Sequence, residues 1–202
     1  ISKDQLDLAL LIRGQNDQFF NLAVGNNFKG FDSIPDWLKK NKVKPEDCLF
    51  CMEHTGTYGL LLFAWLSQVG IDYCVEPGLR IKRSSGVTRG KNDSVDARRI
   101  ADYACTRKAK LEPFCLPTGL ILQIKQLLTY RDQLVRMCTS LKNSLQSHQE
   151  YQRVSGLKSI SEDIKVQISD IENREYRIEK QIVELIRSDK SLFKNYKLAT
   201  SV

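Results

Sequence analysis

The sequence predicts an α/β domain with a mixed sheet and flanking helices, followed by an all-α segment. In the first part of the chain, short apolar runs alternate with longer segments whose apolar residues recur at the helical period. After Pro113 and Pro117, apolar residues recur in steps of three and four over two long stretches. We therefore divide the 202 residues into a domain at 1–112 and a helical segment at 113–202.

The first two elements are predicted to form a β-hairpin. Residues 5–13 contain a continuous apolar run, and residues 19–24 form a second strand-like segment. The polar residues 14–17 between them have the composition of a turn. Strands joined by so short a turn pair as antiparallel neighbours.

The next segments alternate between helix and strand. Residues 48–52 are predicted to form a short buried strand, residues 58–69 an apolar helix and residues 71–75 another strand. Before them, residues 30–42 are predicted to form one helix. Its apolar residues recur at the helical period: Phe31, Ile34, Trp37 and Leu38.

Three acidic residues are candidates for a metal site. Glu53 follows the strand at 48–52, at the carboxyl end, where open α/β sheets place their ligand sites. Asp93 and Asp96 lie three residues apart where a helix over 92–107 is predicted to begin, so they share a helix face. Carboxylate oxygens select Mg²⁺ or Mn²⁺. Alternatively, Glu53 is an ordinary loop carboxylate, Asp93 caps the helix, and Asp96 is stabilised by the helix dipole.

A basic stretch over residues 80–91 directly precedes the acidic pair. It combines cations, glycines and hydroxyl side chains with little regular periodicity. One interpretation is a solvated loop. The interpretation we favour is a loop that contacts phosphates, because Lys, Arg, Ser and Thr supply most contacts to nucleic-acid backbones. Its cations are Arg80, Lys82, Arg83, Arg89 and Lys91.

The overall composition narrows the class of partner. The formal net charge of +7 favours nucleic acid or another polyanion. No apolar run approaches the roughly 20 residues of a membrane span. The six cysteines lie mostly within apolar patterns, which indicates buried free thiols of a reducing cytoplasm in preference to a zinc site.

The helical segment is predicted to contain two helices with apolar seams. The seams run over residues 120–145 and 164–185, and Ser161 is expected to cap the second helix. The pattern fits an antiparallel hairpin or pairing with another chain, and both remain open. Arg131 and Glu175 fall at seam positions, where a charge can specify register. We expect these two residues to pair with each other.

Motifs in the first half occur in a characteristic order. They are Ile1-Ser2-Lys3, Glu53-His54-Thr55-Gly56-Thr57-Tyr58, Glu76-Pro77 and Lys91-Asn92-Asp93-Ser94-Val95-Asp96-Ala97-Arg98-Arg99-Ile100-Ala101. Together they resemble the DEDD transposases of the insertion-sequence-110 family, which includes the Piv-type DNA invertases. The family pattern has Gly-Ile-Asp-x-Ser/Ala-Lys, then Glu-x-Thr-Gly-x-Tyr, then x-Pro, then Lys-Thr-Asp-x-x-Asp-Ala-x-x-Ile-Ala. Two differences are Asn92 in place of Thr, which keeps capping ability, and His54 in place of a small residue.

The resemblance implies a ribonuclease-H-like fold similar to the RuvC-type Holliday-junction resolvases, followed by a coiled coil. It implies that Glu53, Asp93 and Asp96 are three of four acids that bind Mg²⁺ or Mn²⁺. The fourth would be an Asp directly before Ile1, and a serine-bearing domain would follow the coiled coil. We therefore expect this chain to be an N-terminal part of a longer protein.

The resemblance also implies a function. Such a protein would be a bacterial, cytoplasmic DNA recombinase that acts on donor and target DNA, guided by a structured RNA from the mobile element. The coiled coil would assemble it into a homo-oligomer, a dimer or a tetramer. The alternatives are a Holliday-junction-resolving nuclease that uses a metal-activated water, and a non-catalytic RNA-binding and dimerisation module whose acids serve as helix caps.

Overall fold

A computed structural model describes residues 1–85 and 92–201. The chain forms two compact units, Ile1–Leu116 and Pro117–Val202. The first contains both strands and helices, and the second is helical in its described residues, so the predicted mixed α/β class is confirmed. Within the described ranges, no helix is both long enough and apolar enough to cross a bilayer.

The four strands of the first unit form two small sheets. Strands β1 (Gln5–Ile12) and β2 (Gln18–Gly25) are antiparallel neighbours, which confirms the predicted hairpin. Strands β3 (Phe50–Glu53) and β4 (Tyr73–Glu76) are parallel neighbours. Among the described residues the strands therefore make two separate pairs, whereas the sequence predicted one mixed sheet.

The helix predicted over residues 30–42 is divided into two. Helix α1 spans Phe28–Phe31 and helix α2 spans Ile34–Lys40. Pro35 in the first turn of α2 has no amide hydrogen to bond the preceding turn, so the single-helix prediction was wrong. The predicted apolar face is correct, because it packs into the core through Phe31, Ile34, Trp37 and Leu38.

Helix α3 (Leu60–Gln68) is the central helix of this core. The ring of Phe63 on α3 stacks on the ring of Tyr73 on β4, and the two ring centroids are 5.6 Å apart. Phe114 lies 5.4 Å from Phe63 by the same measure. The left-handed conformation of Gly70, with φ of 72°, lets the chain leave α3 and enter β4. These ring contacts pack β4, the strand paired with β3, against α3.

Two further helices complete the first unit. Helix α4 (Gly78–Ser85) occupies the start of the stretch predicted to be a loop, so that part of the prediction was wrong. Arginine and lysine are good helix formers, and Ile81 anchors α4 by its buried side chain. Helix α5 (Asp93–Arg107) confirms the helix predicted over 92–107 and packs against β1 and β3.

The second unit contains the helices α6 (Gly119–Ser155), α7 (Ser159–Ser188) and α8 (Lys190–Thr200). Helices α6 and α7 pack against each other as an antiparallel hairpin, which the turn at Gly156 makes possible with its φ of 75°. The two apolar seams therefore pair within one chain, which is one of the two arrangements left open above. The buried apolar residues of this interface are Leu134, Cys138, Ile164, Ile168 and Ile171.

Ser161 does not cap α7. The helix begins at Ser159, and Ser161 lies inside its first turn with only 2% of its surface exposed. Ser161 shares a helix face with Ile164 and Ile168, three and seven residues later, so the packing against α6 buries it. Burial on this face explains why the predicted cap was wrong.

The expected pairing of Arg131 with Glu175 is confirmed. Arg131 Nη2 lies 3.3 Å from Glu175 Oε1, and Arg131 Nε donates to Glu179 Oε1 at 2.7 Å. The register of α6 against α7 therefore places opposite charges at one level of the hairpin. Partly exposed pairs of this kind contribute modestly to stability, so their main effect is on register.

A charge exchange tests this pairing. We expect Arg131→Glu and Glu175→Arg each to lower the urea midpoint modestly, because each puts like charges together. The double variant should recover most of either loss, although a glutamate at 131 would still face Glu179. Urea unfolding followed by circular dichroism gives the double-mutant cycle. Simple addition of the two losses would contradict the pairing.

Candidate active site

Glu53 is the last residue of β3, and its half-buried side chain lies over Gly78. A Cβ atom added at Gly78 would lie 2.8 Å from Cδ of Glu53 and closer still to one carboxylate oxygen. Because Gly78, the first residue of α4, has no side chain, it leaves space for the carboxylate of Glu53. In the parallel register Glu53 lies beside Glu76 of β4.

Asp93 and Asp96 both lie in the first turn of α5, where the helix dipole favours anions. The cap of this helix is Asn92, whose Oδ1 accepts a hydrogen bond from Ser94 N at 3.1 Å. The alternative in which Asp93 caps the helix is therefore wrong. Asp96 Oδ1 accepts a hydrogen bond from Arg99 Nη1 at 2.7 Å.

A cavity of about 600 Å³ in the first unit has all three predicted acids in its wall. It is also lined by Asp7 and Thr55. Across the described part of the chain, however, no three acidic, histidine or cysteine side chains come close enough together to bind a metal ion. The structure thus brings Glu53, Asp93 and Asp96 to one cavity without gathering them into a closed ligand set.

The donor atoms around this cavity are chemically suited to Mg²⁺ or Mn²⁺. They are carboxylate oxygens, which hard cations prefer. The hydroxyl oxygen of Thr55 is buried and has no hydrogen-bond partner among the residues that the structure describes. An oxygen with unused bonding capacity could accept a ligand or an ordered water. To bind the ion, Asp96 would have to give up its ion pair with the guanidinium of Arg99.

Sequence reasoning did not select two acids that the structure places nearby. Asp7 on β1 lines the cavity, and Gln5 Nε2 lies 3.1 Å from both of its carboxylate oxygens. Glu76 ends β4 and is only 7% exposed. A signal for Glu76 was present, because it closes an apolar strand just as Glu53 does.

Glu76 is joined to two other elements. Its Oε2 accepts a hydrogen bond of 2.8 Å from the hydroxyl of Tyr103 on α5 and lies 3.5 Å from Arg80 Nη1 on α4. Burial and the bond to Glu76 raise the pKa of Tyr103.

Burial, with smaller contributions from Cys74 and Glu76, raises the pKa of Cys51 to about 12. Cys51 is therefore a neutral thiol at physiological pH.

The predicted phosphate-contacting cations are divided between described and undescribed parts of the chain. Arg80, Lys82 and Arg83 are exposed on α4, which begins beside the Glu53 carboxylate. Arg89 and Lys91 lie outside the described residues. The three described cations thus lie on a helix whose first residue contacts the acidic side of the site.

These features define an α/β protein that combines a largely apolar cavity, with Glu53, Asp93 and Asp96 in its wall, and an adjacent basic helix. The family model of the insertion-sequence-110 DEDD transposases, described as "Transposase", matches residues 1–150. The chain belongs to this transposase family, as its motifs indicated, and DNA is the substrate of such proteins. Among curated proteins, no match to the chain was found.

Proposed function

We propose that this chain is the ribonuclease-H-like, RuvC-like part of a DNA transposase in which Glu53, Asp93 and Asp96 bind Mg²⁺ or Mn²⁺. The observation that carries the proposal is that these three acids, which lie within the residues that the family model matches, line one cavity. Residues 1–112 would form the catalytic domain. Residues 113–202 would form a coiled-coil dimerisation segment.

When bound, the ion would neutralise charge that develops at the scissile phosphate and help to orient the attacking group. The protein contributes the ligands from two elements, Glu53 from β3 and the two aspartates from α5. Gly78 supports the site by leaving room for the carboxylate of Glu53.

The basic residues would bind the nucleic-acid backbone. Arg80, Lys82 and Arg83, together with Arg89 and Lys91 from outside the described residues, would contact phosphates of donor and target DNA in the bacterial cytoplasm. Sequence specificity would come from a structured guide RNA that pairs with both DNAs, which leaves backbone and shape to the protein. A homo-oligomer, a dimer or a tetramer, would bring two such sites to the synapsed DNA.

Manganese binding measured by calorimetry tests the metal site. We expect the 202-residue chain to bind Mn²⁺ and the Asp93→Ala/Asp96→Ala variant to lose that binding, because two of three ligands are gone. Asp102→Ala is the matched control, since Asp102 lies on the same helix but pairs with Arg13 on the surface. Equal binding by all three proteins would contradict the proposal.

Gly78→Ala tests the placement of Glu53. The new Cβ would displace the carboxylate, which is the mobile end of a side chain, so the fold should tolerate the change. We expect a loss of Mn²⁺ affinity of about 10-fold, as for other changes in the surroundings of a metal ligand. Gly119→Ala, where a Cβ would meet open space, should bind like the parent chain. Unchanged affinity in Gly78→Ala would show that Glu53 is not a ligand.

A further inference from the structure

One buried carboxylate, that of Glu76, lies where three elements of the first unit meet. It belongs to β4, and its Oε2 is approached by Tyr103 of α5 at 2.8 Å and by Arg80 of α4 at 3.5 Å. The side chain of Glu76 is 9% exposed, whereas that of Arg80 is 70% exposed. Arg80 thus reaches from the surface to an acid that is largely hidden from water.

Burial of a carboxylate is costly unless hydrogen bonds compensate it. Tyr103, itself only 7% exposed, donates a short hydrogen bond from its hydroxyl to Oε2 of Glu76. Replacement of a buried charged pair by apolar residues of similar volume is often neutral or stabilising. Stability alone therefore does not explain the hydrogen-bonded pair of Glu76 and Tyr103. Such a pair can instead hold the elements that carry it in one relative position.

The positions of these residues relative to the acids suggest that role. Glu76 lies beside Glu53 in the β3–β4 register, and its carbonyl accepts a hydrogen bond from His54 N at 2.9 Å. Tyr103 lies seven residues after Asp96, two turns further along the same face of α5. The bond between Tyr103 and Glu76 therefore joins the helix that carries two of the acids to the strand beside the third.

We propose that Glu76 and Tyr103 are positioning residues of the transposase site. Their hydrogen bond holds the first turn of α5, with Asp93 and Asp96, in place relative to Glu53. The same Glu76 oxygen orients Arg80 beside the site. This inference rests on the proposed function, which makes the three acids the metal ligands.

The test compares two conservative variants of the whole 202-residue chain. Tyr103→Phe removes only the hydroxyl that bonds Glu76. Tyr73→Phe is the matched control, because Tyr73 is also a buried tyrosine of the first unit, and its hydroxyl bonds Phe63 O at 3.2 Å, within the core. The two readouts are hydrogen exchange of the backbone amides at 96–100 and Mn²⁺ affinity by calorimetry.

We expect Tyr103→Phe to accelerate exchange at 96–100 and to weaken Mn²⁺ binding by about 10-fold, the usual range for groups that orient ligands. Tyr73→Phe should change neither readout, even where both variants lower the unfolding temperature equally. Identical exchange and affinity in the two variants would overturn the proposal, because the hydroxyl of Tyr103 would then only stabilise the fold.

The two proposals fail in different ways. If the parent chain and its Asp93→Ala/Asp96→Ala variant bind Mn²⁺ equally, the metal site is wrong. The exchange comparison is independent of the metal. It still decides whether Tyr103 holds the first turn of α5: faster exchange in Tyr103→Phe alone supports the positioning role, and equal exchange refutes it.

Discussion

On the proposed function, replacement of Asp96 by alanine is expected to abolish DNA strand exchange by the transposase while binding of the guide RNA is retained. Asp96 would supply one ligand of the ion, and a bound metal contributes several kcal/mol of transition-state stabilisation. At about 1.4 kcal/mol for each factor of 10, loss of the ion lowers the rate by about three orders of magnitude. RNA binding would rely on backbone contacts by cations, none of which this substitution removes, so it should be unaffected.

The structure suggests a sharper form of this experiment. Asp96 also bonds Arg99, so an alanine variant loses both a metal ligand and an ion pair. Asp96→Asn keeps an acceptor oxygen for Arg99 but loses the charge, and we expect it to be as inactive as the alanine variant. Asp102→Ala on the same helix should exchange strands normally. Activity in Asp96→Asn would instead assign Asp96 a structural pairing with Arg99.

Leu134→Ala is expected to cause the largest loss of stability in the helical hairpin. Leu134 is only 2% exposed and lies in the core formed by α6 and α7. Truncation of a buried leucine leaves a cavity and costs about 3 kcal/mol. The free energy of unfolding is obtained from urea denaturation followed by helical circular dichroism.

Leu128→Ala is the matched control on the same helix. Leu128 is 44% exposed, so the free energy of unfolding should change by only about 0.5 kcal/mol. Equal losses in the two leucine variants would show that α6 does not bury Leu134 against α7 in solution.

Much of the first unit could be predicted because its signals are local. The apolar runs around the turn at 14–17 predict the β1–β2 hairpin, and the apolar run before Glu53 predicts β3. Likewise, Asn92 before an acidic first turn predicts the start of α5. Each of these patterns is contained within about 15 neighbouring residues, so no knowledge of distant contacts is needed.

The incorrect predictions arise where a single residue or a packing contact overrides the pattern. Pro35 divides the helix predicted over 30–42 because it lacks an amide hydrogen. Ile81 gives α4 a buried anchor within a stretch whose charges resemble a loop. Ser161 lies within the first turn of α7 and is buried against α6, so it does not act as the helix cap.

The sequence by itself determined the family and the candidate acids, because Glu53, Asp93 and Asp96 lie in short contiguous motifs. Only the tertiary structure decided which residues support them. Tyr103 and Glu76 are 27 positions apart, and Arg131 and Glu179 are 48 apart, so no local pattern links either pair. Such contacts depend on which surfaces are buried together and in what register, and that is decided by the packing of whole helices and strands.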